Sequence, residues 1–205
     1  SRVYLPDLND SKKRKPIPVD NIRQIQKDCV IIDDDVRWLV ALISDTGMRL
    51  SEAAGLHIND IMLDNDIPYI DLKPHPWRGL KTRGSQRQIP LVGASLWAAK
   101  RIKETNSDAV YAFPRYNNTS TTNGNSASAA INKWLKTRVP EGCVIHSFRH
   151  SVRDRLREVQ CPADMIDQIG GWSTAGVGQA YGDGYNLNTL FHNMKDIQCH
   201  VSFKE

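Results

Sequence analysis

Four short segments of this chain carry side chains suited to holding and splitting a phosphate ester. In Thr46-Gly47-Met48-Arg49-Leu50-Ser51-Glu52, Arg49 follows a glycine turn, and a guanidinium fixed there can bind phosphate through two parallel hydrogen bonds. Glu52, three residues on, lies on the same helical face and can orient it. In Leu80-Lys81-Thr82-Arg83-Gly84-Ser85-Gln86-Arg87, Gly79 and Gly84 suit a turn that presents Lys81, whose ammonium could protonate a leaving oxygen. In His146-Ser147-Phe148-Arg149-His150, a helix would put His146 and Arg149 on one face at its N-terminus, where free N–H groups favour an anion. Phe148 would then face the core, and His150 reads as a packing histidine. In Gly170-Gly171-Trp172, followed by Gln179-Ala180-Tyr181-Gly182, the Trp172 indole can donate to a phosphate oxygen. Tyr181 offers a phenol that becomes nucleophilic once its proton is removed and the developing charge is neutralised; Tyr185 is its rival. Each segment alone also fits a plainer reading: a surface Arg–Glu pair, a basic loop, or aromatics in a core.

The elements that must position these residues are mostly helical. A helix begins near Asp20 and carries Ile22 and Ile25; a buried helix covers Val36 to Ile43 and is interrupted at Gly47. Ser51 is a candidate cap for a short helix from Glu52 to Leu56. The middle then changes period: Asp60–Leu63, Ile67–Lys73 and Gln86–Leu91 read as three strands. Their connections are too short for helical crossovers, so the sheet is antiparallel. Helices return at 94–104, 129–138 and 147–159, from Pro162 to Gly170, and around 174–181 and 187–197. Residues 117–127, rich in Asn, Ser and Thr, read as a mobile loop. The fold class is α+β, mainly α with one small antiparallel sheet. Residues 1–16 read as a linker or tail and 17–205 as one domain.

Composition narrows the function classes. At 205 residues, 40% hydrophobic and 24% charged, the chain can bury a core and is neither collagen-like nor wholly disordered. No apolar run approaches the ~18 residues of a membrane span, and no signal-peptide layout opens the chain. Cys29, Cys143, Cys161 and Cys199 lack metal-ligand spacing and read as reduced thiols. The net charge of +4 is less informative than its distribution. Lys12-Lys13-Arg14-Lys15, then Lys73, Arg78, Lys81, Arg83 and Arg87, then Arg149, Arg153, Arg155 and Arg157 form three clusters, which point to a polyanion partner.

The order Arg49, Lys81, His146-x-x-Arg149, Trp172, Tyr181 resembles the catalytic domain of the tyrosine recombinases, the phage-integrase family. Its first Arg sits in Thr-Gly-x-Arg-x-x-Glu, matched at Thr46 to Glu52. Its Lys precedes an Ile-Pro-Leu-like strand, matched by Ile89-Pro90-Leu91. Its next site position is His or Trp, here Trp172, and its nucleophile follows by about nine residues, which selects Tyr181 over Tyr185. The resemblance spans roughly Pro16 to Ile197.

It implies site-specific recombination of double-stranded DNA through a covalent 3′-phosphotyrosine, with neither metal nor ATP; no GxxxxGK[ST] segment is present. Arg49 and Arg149 would hold the non-bridging oxygens, His146 assist proton transfer, Trp172 donate a hydrogen bond and Lys81 protonate the 5′-oxygen. Glu52 would support Arg49, and Arg83, Arg87 and Arg153 would contact DNA. It further implies a homotetramer on paired sites, accessory DNA-bending proteins, a cytoplasmic setting of bacterial or prophage origin, and an N-terminal core-binding domain outside this sequence. Leu187, Leu190, Phe191 and Met194 form an apolar stripe for a neighbouring protomer or for the chain's own core. A type IB topoisomerase, a non-catalytic DNA-binding module of the same fold and a helix-turn-helix regulator are the competing readings.

Overall fold

The computed structural model describes residues 15–172 and 184–203. Its centre is α2 (Asp35–Ser44), in which Val36 and every residue from Trp38 to Ser44 are buried. Asp34 caps it by accepting from the Arg37 N–H at 2.9 Å, as a short carboxylate before a helix does well. A helix buried on nearly all sides needs neighbours all round. It has them in α1 (Val19–Ile32), α4 (Gly93–Asn106), α5 (Gly124–Leu135) and α6 (Ser147–Glu158). α1 turns Ile22, Ile25, Gln26 and Cys29 inward, an i, i+3, i+4, i+7 stripe. The helix α3 (Leu50–Ala54) follows the turn at Gly47, α7 (Ala163–Gly170) follows α6, and α8 (Leu187–Met194) packs on the sheet.

The sheet has three antiparallel strands in the order β1 (Ile61–Met62), β2 (Tyr69–Leu72), β3 (Arg87–Pro90). Ile61 pairs with Ile70, Ile70 with Ile89 and Leu72 with Arg87. The period-2 pleat puts these residues on one face, against the core. The chain from 73 to 86, which contains Lys81, is the excursion between β2 and β3.

Several boundaries differ from the sequence expectation for local reasons. α1 starts at Val19 behind Pro18, because proline's fixed φ suits a helix entry. Arg49, not Ser51, is the N-cap of α3: Glu52 reaches back to accept from the Arg49 N–H at 3.1 Å. The strands are shorter than expected. The expected loop at 117–127 is instead a hydrogen-bonded turn running into α5 at Gly124. Within it Asn117 and Thr122 form a bridge, Thr122 Oγ1 donates to Asn117 Oδ1 at 2.6 Å, and Asn117 Nδ2 donates to Ala54 O at 2.7 Å.

The expected helix at 174–181 and most of the expected tail 1–16 lie outside the described residues. Ile17 belongs to the folded body: it is buried and its N–H donates to Ser151 Oγ at 2.7 Å. In α8, Leu190 and Met194 are buried in the chain's own core. All four cysteines are buried and unpaired. Among the described residues no helix is long and apolar enough to cross a membrane.

Candidate active site

The site gathers where the turn after α2, the start of α3, β3, the start of α6 and the end of α7 meet. Glu52 is its hub, 2% exposed. Its carboxylate accepts from Arg49 Nη1 at 2.6 Å and from Arg87 Nη2 at 3.0 Å and Nη1 at 3.3 Å. Burial pushes this carboxyl up, but Arg87 and then Arg49 outweigh it and hold Glu52 below the usual carboxylate range. Arg49 also points Nη1 at Ser85 Oγ (3.4 Å) and Nη2 at Gly171 O (3.5 Å). Its side chain keeps 20% exposure, enough to meet a ligand.

Arg87 was expected to contact DNA, and the structure corrects this. Its side chain is 3% exposed. Besides Glu52, its guanidinium donates to Ile169 O at 2.8 Å and Ser85 O at 2.6 Å. Arg87 therefore ties β3 to α7 and holds Glu52, which in turn holds Arg49. The signal for this was available: Arg87 and Ile89 are two apart on a strand, so they share the inward face.

Arg149 enters from the first turn of α6 and is 3% exposed. It donates to Gly47 O at 2.6 Å and Gly170 O at 3.0 Å. Among the described residues no carboxylate lies within 4.0 Å of it. Burial, with repulsion from Arg49, pushes its guanidinium down to about 9. The turn before α6 is pinned by Ser147 Oγ, accepting from the Val144 N–H (2.9 Å), and by Asn132 Oδ1, accepting from the Ile145 N–H (2.9 Å). That places half-buried His146 at the helix start, its ring edge-on to His150 with centroids 6.0 Å apart.

Trp172 closes this side. The guanidinium carbons of Arg149 and Arg153 lie 4.6 and 3.9 Å from its ring centroid, within cation–π range. The ring is placed by the end of α7. Gly171 adopts φ +65°, and a Cβ there would meet Arg87 Nη1 at 2.6 Å, so the position takes glycine on both conformational and steric grounds. Lys81 and Arg83 are exposed on the β2–β3 excursion.

Tyr181 lies outside the described residues. Its rival Tyr185 is described: its hydroxyl donates to the Asp164 carboxylate at 2.9 Å, and Gln168 clamps its main chain, accepting from N–H at 2.8 Å and donating to C=O at 2.9 Å. The Asp164 hydrogen bond, with that carboxylate's charge, raises the Tyr185 phenol above its usual range.

Charge decides what this arrangement can hold. Among the described residues Arg49 and Arg87 share the Glu52 carboxylate while Arg149 and Arg153 flank Trp172 without an ion-pair partner, so positive charge is in excess in a partly desolvated setting. Such an arrangement suits an anion with at least two accessible oxygens.

The helical body with its small antiparallel sheet is the fold of integrases and recombinases of known structure. The Tn1549 transposon integrase in complex with transposon right end DNA superposes with a TM-score of 0.60 at 18% identity, covering 80% of this chain and 60% of that one. The XerH site-specific recombinase bound to palindromic difH substrate gives 0.57 at 18% identity, over 84% of this chain and 52% of that one. The Tn1549 integrase with circular intermediate DNA gives 0.55 at 18% identity, over 95% and 64%. The chain thus spans between half and two thirds of the length of these proteins. No curated protein matches it by sequence. Residues 17–186 match the model of the phage integrase family, and the chain belongs to that family.

Proposed function

We propose that this chain is the catalytic unit of a site-specific DNA recombinase that cleaves and rejoins strands through Tyr181. The observation that carries the reading is Arg149, a buried guanidinium beside Arg49 and without a carboxylate among the described residues. A scissile phosphodiester would supply the missing anion. Arg49 and Arg149 would take its two non-bridging oxygens and stabilise the extra charge of the pentacoordinate transition state, as preorganised donors do. The Tyr181 phenol would lose its proton to His146 as its oxygen attacks phosphorus. The bond from phosphorus to the 5′-oxygen would break, and the Lys81 ammonium would protonate that oxygen. The product is a 3′-phosphotyrosine and a free 5′-hydroxyl, and attack by a partner strand's 5′-hydroxyl reverses the steps. Trp172 and Arg153 would wall the phosphate pocket, with Arg83 reaching neighbouring phosphates. Tyr185 suits the nucleophile's role poorly because Asp164 already engages its hydroxyl. Exchange between two sites would bring four copies together in the cytoplasm of the host cell.

The test is covalent capture. The protein is incubated with a pool of nicked duplexes of randomised sequence, and protein–DNA adducts are recovered from a denaturing gel. Wild type and Tyr185→Phe should give adducts and Tyr181→Phe none. Adducts that persist in Tyr181→Phe would remove that residue from the mechanism. Relaxation of supercoiled plasmid without exchange between paired copies of the captured site would convert the reading to topoisomerase activity.

A further inference from the structure

The excursion carrying Lys81 is rooted at a place with no direct part in the chemistry. α3 has only five residues, too few to hold together unaided. Three of the carbonyls at its C-terminal end are taken by side chains from elsewhere. Glu52 O accepts from Arg78 Nη1 at 2.7 Å, Gly55 O from Trp77 Nε1 at 2.9 Å and Ala54 O from Asn117 Nδ2 at 2.7 Å. Arg78 is 5% exposed, yet no carboxylate among the described residues lies within ion-pair distance. Its second amino group instead donates to Lys73 O at 2.5 Å, where the excursion leaves β2. The fit is close: a Cβ on Gly55 would meet Arg78 Cγ at 2.7 Å. Trp77 is further braced by stacking on His75, 4.6 Å between centroids and 3° from parallel, and His75 Nε2 bonds Asp60 at 2.7 Å.

One guanidinium therefore joins the end of β2 to the main chain of Glu52, whose side chain holds Arg49. Lys81 follows Arg78 by three residues. We propose that Arg78 is a positioning residue that sets the Lys81 ammonium against the phosphate gripped by Arg49, with Trp77 as its second anchor. This rests on the reading of Lys81 as general acid to the 5′-oxygen.

Leaving-group chemistry tests it. Sulfur leaves as a thiolate without needing a proton, so a duplex whose scissile 5′-bridging oxygen is replaced by sulfur bypasses the general acid. Cleavage rates are measured on the captured duplex and its 5′-bridging sulfur analogue for wild type, Lys81→Ala, Arg78→Met, Trp77→Phe and Arg49→Ala. General-acid assistance is worth about 10²–10⁴ in rate, and misplacing such a group by an ångström costs about 10². On the ordinary duplex Lys81→Ala and Arg78→Met should both be slow and Trp77→Phe slower than wild type. On the sulfur duplex all three should return to within about threefold of wild type, while Arg49→Ala stays slow. A merely structural loss at Arg78 would slow both duplexes alike. Arg78→Met and Trp77→Phe slow on both duplexes, with Lys81→Ala rescued, would overturn the role of Arg78 and leave the general acid standing. Lys81→Ala unrescued would overturn the general-acid reading and this proposal with it.

Discussion

Arg87 and Arg149 have the same side chain, similar burial and opposite circumstances. Arg87 spends its charge on Glu52; Arg149 reaches two carbonyls and the face of Trp172, and among the described residues no carboxylate pairs with it. The difference predicts how each arginine enters DNA affinity. Each phosphate contact adds about one to the slope of log affinity against log salt. Arg83→Ala and Arg153→Ala should each lower that slope by about one. Arg87→Met should leave the slope unchanged and cost about 3–5 kcal/mol of folding stability, because it strands a buried carboxylate. Binding titrations across a salt series, with urea unfolding of the same proteins, check both halves. Arg49, Glu52, Lys81, His146, Arg149 and Trp172 were singled out by an order along the chain that resembles the tyrosine recombinases, and the fold brings Arg49, Glu52, Arg149 and Trp172 to one place. The inward turn of Arg87 was written only in its alternation with Ile89, and a charge cluster hid it. The sharing of the Trp172 ring by two guanidiniums depends on the α6–α7 packing, which no local window contains.

At the scale of elements, the helices were legible wherever an apolar stripe ran three or more turns, as in α1, α4 and α6. The misjudged parts depend on distant partners. The turn at 117–123 looked mobile because its side chains are polar. Those side chains bond to one another and to the end of α3, more than sixty residues away, so composition alone misreads it. The α7 terminus was legible from Gly170-Gly171, and it carries a prediction. Gly171→Ala would force a left-handed residue to carry a Cβ into Arg87. A loss of about 1–3 kcal/mol from strain should appear in urea unfolding. Covalent capture should fall too, because Arg87 and the Arg49 contact at Gly171 O both shift. An Ala variant with wild-type stability would show that the α7 end adjusts without disturbing the arginine cluster.

At the scale of the molecule, a second buried ion pair holds together what the active site needs in register. Arg155, on α6 with Arg149, donates to Asp45 Oδ1 at 2.6 Å, Ser44 O at 2.8 Å and Ile197 O at 2.6 Å. Asp45 Oδ2 accepts from the Ala94 N–H at the start of α4 at 2.8 Å. One ion pair thus joins α2, α4, α6 and the segment after α8. Asp45→Asn should cost about 3–5 kcal/mol, as breaking a buried pair does. Asp35→Asn, which breaks the exposed pair with Arg115, should cost no more than about 1 kcal/mol; equal losses would show that burial does not set the difference. Family-level order along the chain gave away the fold, but this hub was invisible, since Asp45 and Arg155 are 110 residues apart. The convergence on Glu52 also constrains inheritance. Arg49 and Arg87 hold its carboxylate and Arg78 its carbonyl, so losing Glu52 strands the buried Arg87, and losing Arg87 or Arg78 removes a partner from a buried oxygen of Glu52. These four positions should pass through descent as a block, fixed or replaced together, while the exposed basic positions around them, which hold nothing buried in place, are free to drift.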